Sequence, residues 1–153
     1  MPAKNLPSGR PSLEYVAFCQ LHRRRYLDYV CARVSDPQLS TTLVDTALAT
    51  LSSIWPAVIS SSRPEATAWE ILRALVAASL RGAASRAVAE NGEVYDTLPL
   101  AEADVVILRC KLDLDTGETA DLLGVEPPAV TSRLRMAQRV LPEGMVAGLR
   151  SGA

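Results

Sequence analysis

The stretch from Asp115 to Leu141, DTGETADLLGVEPPAVTSRLRMAQRVL, constrains the fold more than any other part of the chain. Asp115 is placed to cap a helix, and Glu118, three residues later, completes a capping box. Leu122, Leu123 and Gly124 close that helix with the small residue that a left-handed C-terminal turn requires. Glu126-Pro127 opens a second helix, because proline is well tolerated at the first helical position. At about 100° per residue, Val130, Leu134, Ala137 and Leu141 fall within about 60° of one another and form a buried stripe. Pro128, Ser132, Arg135 and Arg139 project from the other side, with Thr131 at the flank.

A short capped helix, a glycine turn and a second amphipathic helix are the sequence form of a helix-turn-helix. The outward residues of the second helix are short near its start and basic further on. That order suits a helix whose beginning enters the major groove while arginines reach guanine edges or phosphates. The candidate DNA-contacting set is Pro128, Thr131, Ser132, Arg133, Arg135 and Arg139, and Ala120 suits the point where the two helices cross. The same spacing also describes an ordinary helical hairpin with a solvated basic face.

The rest of the chain reads as helix. Its 153 residues are 48% apolar and 22% charged with few aromatics, a balance able to bury a core and favouring helix over sheet. Ser12 is a candidate cap for a helix running to about Val34, with Arg23, Arg24 and Arg25 as a solvated basic run at its middle. Ser35-Asp36-Pro37 is a break, and Thr41 or Thr42 is expected to start a helix carrying Leu43, Val44, Leu48, Leu51 and Ile54. A third helix is expected from about Pro64 to Leu80, with Trp55 and Trp69 as core anchors. A helix from Ala101 to Leu112 follows Leu98-Pro99 and places Ala103, Val106, Ile107 and Cys110 on one face. The organisation expected is a disordered tail over 1–11, a helical domain over 12–82, a linker over 83–97, a helix-turn-helix domain over 98–142, and a tail over 143–153.

LPLAEADVVILRCKLDLDTGETADLLGVEPPAVTSRLRMAQRVL resembles the C-terminal domain of extracytoplasmic-function sigma factors. The family's Leu-Pro start, "VLRL"-like helix, "ETADLLG"-like helix and "VxSRLxRA"-like recognition helix correspond in order to Leu98-Pro99, Val106 to Arg109, Glu118 to Gly124 and Val130 to Ala137. More weakly, FCQLHRRRYLDYVCARVSD, LVDTALATL and AWEILRALVAASLRG follow the order of the family's promoter-melting domain. The resemblance implies an all-α, cytoplasmic transcription regulator: an N-terminal helical sigma-like domain plus a C-terminal four-helix-type helix-turn-helix domain. Its implied partners are promoter DNA, core RNA polymerase, and an anti-sigma or other regulatory protein. Leu43, Asp45, Thr46 and Leu48 fall on the helix that docks on polymerase in the family. There the family carries a Gln-Glu pair, and this chain has Asp45 and Thr46. Leu75, Val76, Ala77 and Ala78 stand where the family presents polar, basic and aromatic groups to the melted strand, and opening a duplex requires stacking partners for exposed bases. A sigma-like protein-interaction module without melting activity is the alternative, and a dimeric regulator independent of polymerase is a third.

Other chemistries find few residues to carry them. His22 is the sole histidine and has no cysteine or second histidine at ligand spacing, so no metal or other cofactor is expected. It is placed on the first helix's surface or in a local hydrogen bond. No Ser-His-Asp set or glycine-rich phosphate loop points to an enzyme. Cys19, Cys31 and Cys110 are expected to be small buried hydrophobes, since Cys19 and Cys31 on one helix lie about 18 Å apart. No run of about eighteen apolar residues is present to span a membrane. The net charge of −1 means that any DNA contact must come from a local patch.

Overall fold

The computed structural model describes residues 12–81 and 89–151. Apart from one isolated bridge between Val34 and Ala89, its regular structure is helical. Helix α1 spans Leu13–Arg33, α2 Pro37–Ser53, α3 Trp55–Ile59 and α4 Pro64–Ser79. The short α5 spans Gly92–Thr97 and α6 spans Leu100–Val106, continuing as a π-helical turn over Ile107–Lys111. Helices α7 (Thr116–Leu123), α8 (Pro127–Val140) and α9 (Glu143–Ser151) complete the chain. No helix among the described residues is long and apolar enough to cross a membrane.

Local signals set most of these boundaries. Ser12 caps α1 by accepting a hydrogen bond from the Tyr15 amide at 3.1 Å. Helix α2 begins four residues ahead of the threonine expected to start it. The Asp36 carboxylate accepts from the amides of Gln38 and Leu39, and Pro37 takes the first helical position. The break read at Ser35-Asp36-Pro37 is present between α1 and α2, and its last residue, Pro37, opens the next helix. The expected tail 1–11 and residues 83–88 of the expected linker lie outside the described residues. The linker's final residues, Gly92–Thr97, form α5, and the segment expected as a C-terminal tail forms α9, with Leu149 buried.

Buried apolar side chains from Phe18 to Leu149 form one cluster that includes both halves of the chain. Helices α1, α2 and α4 pack on one another, α8 packs on both α6 and α7, and α4 meets α7 while α1 meets the π-helical turn. At this junction Asp104 of α6 is fully buried. One carboxylate oxygen accepts from the hydroxyls of Tyr29 (2.7 Å) and Tyr95 (2.6 Å), and the other from Trp69 Nε1 (3.0 Å). Arg73 Nη1 lies 3.6 Å from the same carboxylate. The Arg33 guanidinium stacks 3.7 Å over the Tyr95 ring and donates to the Tyr29 hydroxyl. Burial and the neighbouring Asp104 charge push both tyrosine hydroxyls well above their ordinary pKa, which keeps them donors.

His22 departs from its expected surface position. It is 4% exposed, packed edge-on to Phe18 at 4.5 Å and stacked on Tyr26 at 5.7 Å. Its Nε2 lies 3.9 Å from Glu65 without a hydrogen bond. Burial lowers its pKa below 6.5, against the pull of Glu65 and Asp121 and with the help of Arg25. Cys110 is buried as expected and Cys19 partly so, whereas Cys31 is exposed on α1.

Two outcomes follow from this packing. Asp104→Ala leaves two buried donors, Tyr29 and Trp69, and the half-buried Tyr95 without their acceptor, so urea unfolding of the variant should show a loss of about 3–5 kcal/mol. A loss below about 1 kcal/mol would mean that the cluster does not hold the helices together. For His22, the unfolded chain takes up the proton first as pH falls. Its contribution to stability is therefore complete above pH 6.5 and is lost below it. Unfolding free energies measured between about pH 7 and pH 5 should fall less steeply in His22→Leu than in the parent protein. Equal slopes would remove His22 as the cause.

Candidate nucleic-acid interface

The α7–turn–α8 unit forms through the local bonds that its sequence specifies. The Glu118 amide donates to Asp115 Oδ1 at 2.7 Å and the Asp115 amide to Glu118 Oε1 at 2.9 Å, so both parts of the capping box are made. Gly124 ends α7 at φ 72°, and its amide donates to the Ala120 carbonyl at 2.9 Å. Glu126 precedes α8 without a side-chain capping bond, and Pro127 and Pro128 supply the first turn.

Glycine is required at residue 124 for a second reason. A Cβ built there would lie 2.3 Å from the backbone nitrogen of Ala66, at the start of α4. The turn between α7 and α8 thus rests directly on the N-terminal half.

The faces of α8 separate clearly. Val130, Ala137 and the following Leu141 are buried and Leu134 partly so, while Pro128, Thr131, Ser132, Arg135 and Arg139 are exposed. Among the described residues, neither Arg135 nor Arg139 forms an ion pair. Five of the six candidate DNA-contacting residues therefore share the exposed side of one helix. Arg133 stands apart: it is half-buried and lines a cleft of about 150 Å³ with Trp69, Arg73 and Asp104. A step of about 100° beyond Ser132 turns it toward α4. The exposed side also carries two apolar residues, Met136 and Val140, 48% and 55% exposed.

The candidate polymerase-docking residues do not share a surface. Leu43 and Leu48 face the core, 8% and 7% exposed, which corrects their placement on a docking face. Asp45 and Thr46 are exposed, and Asp45 accepts from Arg23 at 2.6 Å. Of Leu75 to Ala78 in α4, Val76 is fully buried, Leu75 and Ala77 are partly buried, and Ala78 is exposed.

The arginine run on α1 is less free than a solvated face would be. Arg23 pairs with Asp45, Arg24 with Asp28, and Arg25 with Glu118 of α7 at 3.0 Å. Arg63, just before α4, pairs with Glu126 just before α8. Partners separated by 93 and 63 residues leave no local pattern, so neither cross-half pair was legible in the sequence.

No protein-family model matches this chain, and no curated protein matches it.

The glycine turn yields a test of the interface geometry. Gly124→Ala forces an alanine into a left-handed conformation and drives its Cβ into α4. The cost should be about 2–5 kcal/mol from the conformation and the overlap together, read by denaturant unfolding. A change under about 1 kcal/mol would show that the turn does not sit against α4.

Proposed function

We propose that this chain is a sigma-factor-like transcription regulator that binds promoter DNA through α7 and α8. The observation that carries the reading is the exposed side of α8. Small residues near its start and two arginines without ion pairs further on share a face, while the aliphatic stripe opposite anchors the helix. That is the arrangement a groove-reading helix needs: its first turn enters the major groove, and guanidinium groups reach base edges or phosphates. The sigma-like part of the proposal rests on the order of the resemblances along the chain, the stronger one covering residues 98–141. Core RNA polymerase is the partner that order implies, with Asp45 and Thr46 as the exposed remnant of the docking helix. The reading assigns no catalytic chemistry to the protein.

A second reading draws on a different observation. Met136 and Val140 are exposed on α8, and an open cleft of about 650 Å³ lined by Gln138, Leu141 and Val146 lies between α8 and α9. Apolar surface of this kind suits a protein partner, and DNA binding would then be secondary or lost.

Selection from a randomised duplex pool, followed by titration of the enriched site, tests the DNA-binding reading. Affinity should fall steeply with salt as phosphate contacts release counterions. Arg135→Ala should weaken binding to the enriched site by about 1–3 kcal/mol if Arg135 reads a base. Absence of enrichment, or an unchanged affinity in that variant, would count against α8 as the recognition helix. Co-elution with core polymerase on a sizing column tests the partner, whereas self-association alone favours the second reading.

A further inference from the structure

The C-terminal helices have a charge problem that the rest of the fold addresses. Residues 98–141, from α6 to the end of α8, contain five Lys or Arg and seven Asp or Glu, so they are net acidic. A DNA-binding surface needs local positive potential, because phosphate neutralisation supplies most of the non-specific affinity. Two of the carboxylates are badly placed for that purpose. Glu118 lies in the first turn of α7 and Glu126 immediately precedes α8. In a helix-turn-helix bound to DNA, the first helix crosses the backbone and the start of the second enters the groove. A bare carboxylate at either position repels the phosphates.

Both carboxylates are matched by arginines from the N-terminal half. Arg25 of α1 meets Glu118 at 3.0 Å, and Arg63 meets Glu126. We propose that the DNA-binding surface is composite, with Arg25 and Arg63 contacting duplex phosphates beside the starts of α7 and α8. The Arg63–Glu126 pair is exposed and the Arg25–Glu118 pair half-buried, with side chains 43% and 68% accessible in the first and 38% and 40% in the second. Exposed pairs hold their partners weakly. A guanidinium has five donors, so each arginine can keep its carboxylate and still reach a phosphate oxygen. Gly124 seated against Ala66 holds the α3–α4 connection next to the start of α8, which gives Arg63 its position. The inference rests on the DNA-binding reading above and adds the N-terminal half to the surface.

The test is binding of the full chain to a labelled mixed-sequence duplex, titrated at salt concentrations from about 50 to 200 mM. Arg25→Ala and Arg63→Ala should each bind more weakly than the parent protein and lower the slope of log affinity against log salt by about 0.9. Across that range the gap between parent and variant should narrow by about 3.5-fold for each contact removed. Arg63→Lys keeps the charge and should keep the slope, and Glu126→Gln should bind more tightly. Thermal melting of each variant establishes that it is folded. If Arg135→Ala weakens binding while Arg25→Ala and Arg63→Ala leave the slope unchanged, the composite surface is wrong and the helix-turn-helix stands. Tighter binding by Arg63→Ala would also overturn the proposal, since the pair would then act as a clasp that must open. No duplex binding by the parent protein even at low salt would overturn both readings.

Discussion

Asp104 is the group on which the arrangement of the helices depends. A carboxylate with no solvent exposure requires donors aimed at it, and here they come from α1, α4 and α5, none of them from α6 itself. Apolar faces tolerate sliding, because burial rewards area with little regard to direction. Hydrogen bonds of 2.6 to 3.0 Å to two tyrosines and a tryptophan do not. They fix how α6 sits against α1 and α4. The helices packed with α6 inherit that placement, so α8 presents its exposed side in a set orientation to the rest of the molecule.

The signals legible in the sequence were those whose partners lie within one turn. The cap at Ser12, the box between Asp115 and Glu118, the left-handed Gly124 and the Val130–Ala137 stripe are all short-range, and each is present. Pro37 was ambiguous, because proline both ends helices and opens them. Only the Asp36 carboxylate bonding forward to Gln38 and Leu39 decides which. Nothing near Asp104 in sequence marks its role, because its three donors lie 75, 35 and 9 residues away. Leu43 and Leu48 belonged to an apolar set whose inward direction depends on α1 and α4. Arg133 sits in sequence among outward residues, and only the position of α4 shows that it faces a cleft.

The π-helical turn over Ile107–Lys111 shows how local irregularity serves this packing. The Leu112 amide reaches the Ile107 carbonyl five residues back, and the Leu114 amide reaches Leu108. The chain then passes through Asp113 at φ 58° before Asp115 caps α7. A widened turn shifts the register of side chains after it. Leu108 and Cys110 remain buried, while Arg109 bends back to donate to the Leu114 carbonyl at 2.7 Å. That bond braces the connection leading into α7, and so the direction in which α7 and α8 set out.

Contact between the halves carries costs as well as gains. His22 Nε2 and Tyr26 Oη are buried without hydrogen-bond partners near α4, and Thr119 Oγ1 is buried unpaired in α7. Each such group costs about 1–3 kcal/mol, and the half-buried Arg25–Glu118 and exposed Arg63–Glu126 pairs return about 1 kcal/mol or less apiece. Apolar packing and the Asp104 cluster must therefore supply the surplus. If Arg25 and Arg63 bind phosphate only where α1 and α4 hold them beside α7 and α8, DNA stabilises the packed halves over the unfolded chain. Ligand that binds one arrangement alone stabilises it in proportion to the logarithm of its concentration over Kd. DNA affinity and the docking of α4 on the α7–α8 turn are then two readings of one equilibrium, and a change at the docking surface acts on both.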